Sequence, residues 1–153
     1  MSVQIIIRIN PFISASAAAN RWLTLIEGLS KLGAKVELLI YGGYQSEKEA
    51  KAYKTLDKMN GVVIKYIAPQ LIQGYLKTRY YIYIGQKLRE RRLLNLIFKE
   101  LEKKDGIVWT DFSHFGINLA LQLKKHQPTR QLFLELSEFL DIHQYNKGNF
   151  LQR

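Results

Sequence analysis

The chain has no cysteine among its 153 residues. That rules out a disulfide framework and a thiolate metal site, and it fits a reducing compartment. Proline occurs three times, at Pro11, Pro69 and Pro128, too sparsely for a proline-rich linker. No apolar run approaches the roughly 20 residues that a membrane-spanning helix needs. The amino terminus alternates apolar with polar residues and lacks a basic stretch leading into an apolar one, so no signal peptide is read there. A cytoplasmic location, free or peripheral on the inner face of a membrane, is expected. Acidic side chains are also scarce. Thirteen Asp and Glu against 23 Lys and Arg leave a net charge of +10, an excess that favours a phosphorylated ligand, an anionic membrane surface or nucleic acid. Glycine is missing between Met1 and Gly28. A dinucleotide site needs G-x-G-x-x-G at the first strand-to-helix turn and an acid at the end of the second strand, so this gap argues against NAD.

What is present suits one compact domain. Hydrophobic residues make up 47% of the chain, enough for a real core. Residues 3–9 read as a buried strand. Residues 16–32 read as a helix with Trp22, Leu25, Ile26, Leu29 and Leu32 on one stripe, followed by Gly33 where a terminating glycine belongs. Strands are expected at 35–41, 62–67, 107–110 and 131–136, and helices at 47–59, 79–104 and 114–126. Near-continuously apolar strands alternating with helices describe a parallel sheet covered on both faces. Right-handed crossovers then give an α/β, Rossmann-like, doubly wound sheet of about five strands, order 3-2-1-4-5, in three αβα layers.

In such a sheet, ligands bind at the carboxyl ends of the strands where the order reverses, here between strands one and four. The loop 10–16 and the stretch Asp111-Phe112-Ser113-His114 meet there, with Ser137 and Glu138 beyond strand five. The first helix begins without an acid: Ala17, Ala18, Ala19, Asn20 and Arg21 precede Glu27. Its free N–H groups and positive dipole end suit an anion, with Ser14 or Ser16 as cap. Two readings stand side by side. The tip is left open for a negatively charged or sugar-like ligand, or the alanines pack the helix tightly against the sheet. Candidate binding residues are Asn10, Ser14, Ser16, Asn20, Arg21, Asp111, Ser113, Ser137 and Glu138. Carboxylates at strand ends can accept hydrogen bonds from hydroxyl groups or act as a general base, but Asp111 and Ser113 are equally good capping types. Glu135 interrupts a buried strand and needs a polar partner. His114 and Glu138 are the catalytic candidates. His126 and His143 have no partner at metal-ligand spacing, so no metal is expected.

The segments "IIIRINPFISASAAANRWLTLIEGLSKLGAKVELLIYGG" and "DGIVWTDFSHFGINLALQLKK", followed by "QLFLELSEF", resemble the N-terminal domain of the group 1 (family 4) glycosyltransferases. The resemblance lies in the order and spacing of the whole, and residues 44–100 contribute least. It implies the acceptor-side half of a two-domain, GT-B-fold, metal-independent, usually retaining hexosyl-type transferase. The acceptor would be a saccharide or a lipid-linked sugar, as in cell-envelope polysaccharide synthesis. A nucleotide-sugar donor would be the co-substrate, bound mainly by a second domain, with no other cofactor. It also implies that the domain is incomplete at residue 153, that the donor-binding domain is absent, and that this chain alone is inactive. A split transferase with a separate donor subunit is the alternative. Two departures stand out. Ser14-Ala15-Ser16-Ala17 replace the Gly-Gly pair usual in the first loop, and Ser137-Glu138 occupy the region where the family often offers a histidine.

Residues 77–104 hold nine basic residues against three acidic ones, six of the chain's ten excess positive charges. Tyr80, Tyr81 and Tyr83 lie near the start, and Leu88, Leu93, Leu94, Ile97, Phe98 and Leu101 supply an apolar face. Lys77, Arg79, Lys87, Arg91 and Arg92 would suit an anionic membrane surface. A sheet-covering helix with a solvated outer side explains the same pattern. No helix-turn-helix, RNP-type or finger pattern accompanies the charge, so nucleic acid is the weaker expectation.

Overall fold

A computed structural model describes residues 1–8, 10–12, 16–42, 61–67 and 79–136, with side chains from 88 onward in the long helix. The expected helix 47–59 lies outside the described residues. The elements are β1 (Ser2–Ile7), α1 (Ala17–Lys31), β2 (Lys35–Ile40), β3 (Val62–Tyr66), α2 (Arg79–Glu102), β4 (Ile107–Asp111), α3 (His114–His126) and β5 (Leu132–Glu135). The five strands form one parallel sheet in the order β3-β2-β1-β4-β5. This is the Rossmann-like order expected from the alternation of strands and helices.

The central strands read as unbroken apolar runs because both faces are buried. Val3, Ile5 and Ile7 of β1 pack with Leu38 and Ile40 beneath Trp22 and Ile26 of α1. Ile6 and Leu39 face the other way, onto Ile97 and Leu101 of α2 and Leu119 and Leu123 of α3. The helices therefore lie on opposite faces, α1 on one, α2 and α3 on the other. Thr110, fully buried in β4, donates its hydroxyl to the Ile6 carbonyl at 2.9 Å and adds a cross-strand tie at the centre of the sheet.

Helix α1 ends in a Schellman motif. Gly33 takes φ +74°, its N–H donates to the Ser30 carbonyl, and the Ala34 N–H reaches the Leu29 carbonyl. Two apolar expectations need correction. Leu32 caps this helix and is 83% exposed, off the apolar stripe, because the chain turns there. Leu88 is 62% exposed, as it points away from the side of α2 that carries Leu94, Ile97 and Leu101.

At the amino edge of the sheet, Arg130 joins three elements. Its guanidinium donates to the carbonyls of Leu101 and Gly106 and to the Oε1 atoms of Gln127 and Gln4. Gln4 is buried in β1, and this fork supplies the partner that a buried amide requires.

Candidate functional site

Strands β1 and β4 are neighbours, pairing Val3–Ile6 with Ile107–Thr110, so the order reverses between them. The carboxyl ends of β1, β2 and β4 open into a cavity of about 440 Å³. Arg8 follows β1, Tyr41 and Gly42 follow β2, and Asp111, Ser113 and His114 lie at the turn from β4 into α3. Arg89 and Glu90 of α2 form the remaining side.

Ser113 starts α3 as its N-cap, accepting from the Gly116 N–H at 3.0 Å. Its hydroxyl also donates to Asp111 Oδ1 at 3.2 Å, and the Thr110 hydroxyl oxygen lies 3.3 Å from the same oxygen. Asp111 thus acts through its own oxygen rather than as the cap. Burial raises the Asp111 carboxyl above its usual range, with the Ser113 and Thr110 hydroxyls and the Arg8 charge opposing the shift. Tyr41 is almost wholly buried and stacks on Phe115 at 4.1 Å between centroids. Burial, reinforced by the Asp111 charge, pushes its phenol further up, so it stays protonated at neutral pH. The close approach of α3 to β4 depends on Gly116, since a Cβ there would lie 2.0 Å from the Asp111 carbonyl oxygen.

The mouth of the cavity joins α2 to α3. Asn118 donates to Glu90 Oε1 at 3.1 Å, and His114 Nδ1 lies 3.3 Å from the same oxygen. The imidazole is 84% exposed, which places it at the entrance and not within the cavity.

The remaining predicted residues fall on the α1 side of the sheet. Ser16 caps α1 by accepting from the Ala19 N–H at 3.2 Å, settling the choice of cap among the described residues. The tip is open: Ser16, Ala17 and Asn20 are exposed, whereas Ala19 is fully buried. Ala19 is thus enclosed by protein, while Ala17 faces outward. Arg21 lies 4.0 Å from Glu135, giving that strand carboxylate its polar partner. Asn10 is buried and serves the loop. Its Nδ2 donates to the Tyr66 hydroxyl at 2.8 Å, and its Oδ1 accepts from the Phe12 N–H at 2.9 Å. Ser14, Ser137 and Glu138 lie outside the described residues. So does Lys77, and the side chains of Arg79 and Lys87 are not described either, whereas Arg91 and Arg92 are exposed.

Asp111, Ser113 and His114 border the cavity on the α2–α3 side, and Ser16, Asn20 and Arg21 stand on the other. Arg8, Tyr41, Arg89 and Glu90 were missed by sequence reasoning. A signal existed for Arg8, a cation ending a run of three isoleucines, and for Tyr41, the last residue before Gly42-Gly43. Nothing in the helical pattern marks Arg89 or Glu90. Among the described residues no three His, Asp or Glu side chains gather as metal ligands, and no helix is long and apolar enough to cross a membrane.

Fold and cleft together define a Rossmann-like α/β protein with an open crevice at its switch point. No protein-family model, curated protein or solved structure matches the chain.

Proposed function

We propose that this chain is the acceptor-side half of a GT-B glycosyltransferase. It would hold a saccharide or a lipid-linked sugar against a nucleotide-sugar donor carried by a second Rossmann-like unit, in the same chain or as a separate subunit. One observation carries the reading. The crevice at the carboxyl ends of β1, β2 and β4 offers donors and acceptors in balance, Arg8 and Arg89 against Asp111 and Glu90. A bare anion asks for cations alone, whereas a polyhydroxylated ring uses both kinds of group.

Within this reading, Asp111 accepts a hydrogen bond from the reacting acceptor hydroxyl and orients it. Burial holds its basicity above that of a surface carboxylate. Arg8 would face the departing phosphate, since a cation stabilises developing negative charge. His114, at the mouth, would contact the distal part of the acceptor.

Amide chemical-shift mapping of the isotope-labelled chain tests the proposal, with a panel of mono- and disaccharide glycosides and with NAD as comparison. Saturable shifts at Arg8, Asp111 and Ser113 with a saccharide, and none with NAD, are expected. Asp111→Asn should weaken saccharide binding by about 10- to 100-fold, the worth of a hydrogen bond to a charged group. Shifts confined to other regions, or tight NAD binding, would overturn the assignment.

A further inference from the structure

The outer face of the α2–α3 layer has a charge distribution that the crevice does not use. Along α2 Arg91, Arg92 and Lys99 are exposed, as is Lys103 just after it, and Glu102 is the one exposed acid among the helix's described side chains. The other two acids of that stretch are engaged, Glu90 with Asn118 and His114, Glu100 with Lys65 and Lys104. Helix α3 contains no acid at all, and in its last turn Lys125 is exposed while Lys124 donates to the Pro128 and Arg130 carbonyls. The two helices run side by side, held at one end by Glu90 with Asn118 and at the other by Phe98 against His126, centroids 5.0 Å apart. Their cations therefore fall on a single two-helix surface.

Two large apolar side chains stand out in the same layer. Leu88 of α2 is 62% exposed and Leu121 of α3 is 65% exposed. Counted from the buried positions Ile97 and Leu119, helical spacing places both on the outward side. Leucines standing among arginines and lysines are poor contacts for a phosphodiester backbone, which rewards cations and hydrogen-bond donors. They suit a surface whose charged headgroups overlie hydrocarbon.

We propose that the α2–α3 face docks onto an anionic lipid bilayer, with Arg91, Arg92, Lys99, Lys103 and Lys125 against the headgroups and Leu88 and Leu121 entering the acyl boundary. Charge complementarity selects the bilayer. Arg89 and Glu90 of α2 and the first turn of α3 line the crevice, so docking by this face brings its mouth towards the lipid surface. The proposal does not depend on what the crevice binds.

Flotation of the full chain with vesicles tests it, comparing pure phosphatidylcholine with phosphatidylcholine containing phosphatidylglycerol. Binding is expected only to the anionic vesicles and should fall with added salt. Arg91→Gln with Arg92→Gln should weaken it about thirtyfold, from about 1 kcal/mol per basic residue near the surface. The control is Lys31→Gln with Lys35→Gln, which removes the same charge away from this face and should change binding less than about threefold if the patch is specific. Leu88→Gln with Leu121→Gln should weaken vesicle binding about tenfold through lost apolar burial. Circular dichroism confirms that each variant folds. Equal binding to neutral vesicles, or equal effects of the two charge pairs, would overturn the proposal. Tighter binding to duplex DNA than to vesicles, insensitive to the leucine changes, would replace the bilayer with nucleic acid.

Discussion

Two alanine substitutions in helices should move stability in opposite directions. Gly28 lies in α1, and a Cβ built there meets nothing within 4 Å. Gly28→Ala is expected to stabilise the protein by about 0.5–1 kcal/mol, the usual helical gain. Gly116 lies in the first turn of α3, where a Cβ would fall 2.0 Å from the Asp111 carbonyl oxygen and 3.2 Å from its Oδ1. That is well inside the ~3.5 Å at which non-bonded heavy atoms rest. The obstacle is backbone, so no rotamer change relieves it, and α3 must shift away from β4. Overpacking of this kind costs about 1–3 kcal/mol or more and outweighs the propensity gain. Urea denaturation followed by far-ultraviolet circular dichroism reads both changes. At this chain length, 1 kcal/mol corresponds to roughly 2–4 °C in Tm. Because the shift would also draw the Ser113 hydroxyl away from Asp111, ligand binding at the crevice should weaken together with stability. A Gly116→Ala protein as stable as the parent would refute the close approach of α3 to β4, and with it the geometry of the crevice.

Replacing Arg130 by Met should cost about 2–4 kcal/mol, because three elements lose a common donor and the buried Gln4 amide loses a partner; Arg130→Lys should recover little, since an ammonium cannot reproduce the planar fork, and denaturation midpoints of the two variants check this. The pH dependence of stability should carry the mark of Asp111. Its folded pKa lies above the unfolded value, so the folded state holds the proton longer and stability falls as pH rises from the unfolded carboxylate range, about 3.9, through the raised pKa. The parent's stability relative to Asp111→Asn should therefore decline across that window and then level off. A flat difference between pH 3 and 7 would show that Asp111 is not buried as described.

Much of the architecture could be read from the chain alone. The alternation of apolar runs with 3.6-residue periodicity fixes five strands and the helices α1, α2 and α3, and crossover handedness orders the strands. Ser16 and Gly33 announce the two ends of α1 through local hydrogen-bonding and backbone rules, which need no knowledge of distant residues. The crevice was less legible. Arg8, Tyr41 and Arg89 come from three separate elements, and no local pattern states that their side chains will face one space. Equally, Ser16 and Ser113 look alike as caps of acid-free helix starts, although one stands on each face of the sheet.

Local chemistry thus determined what each segment becomes, because periodicity and capping act within a few residues. Tertiary structure alone decided that Asp111 borders one crevice with Arg8 and Tyr41, that Arg21 meets Glu135, and that α2 lies beside α3. Those outcomes depend on which faces of distant elements come together, and burial and charge pairing have meaning only once they have.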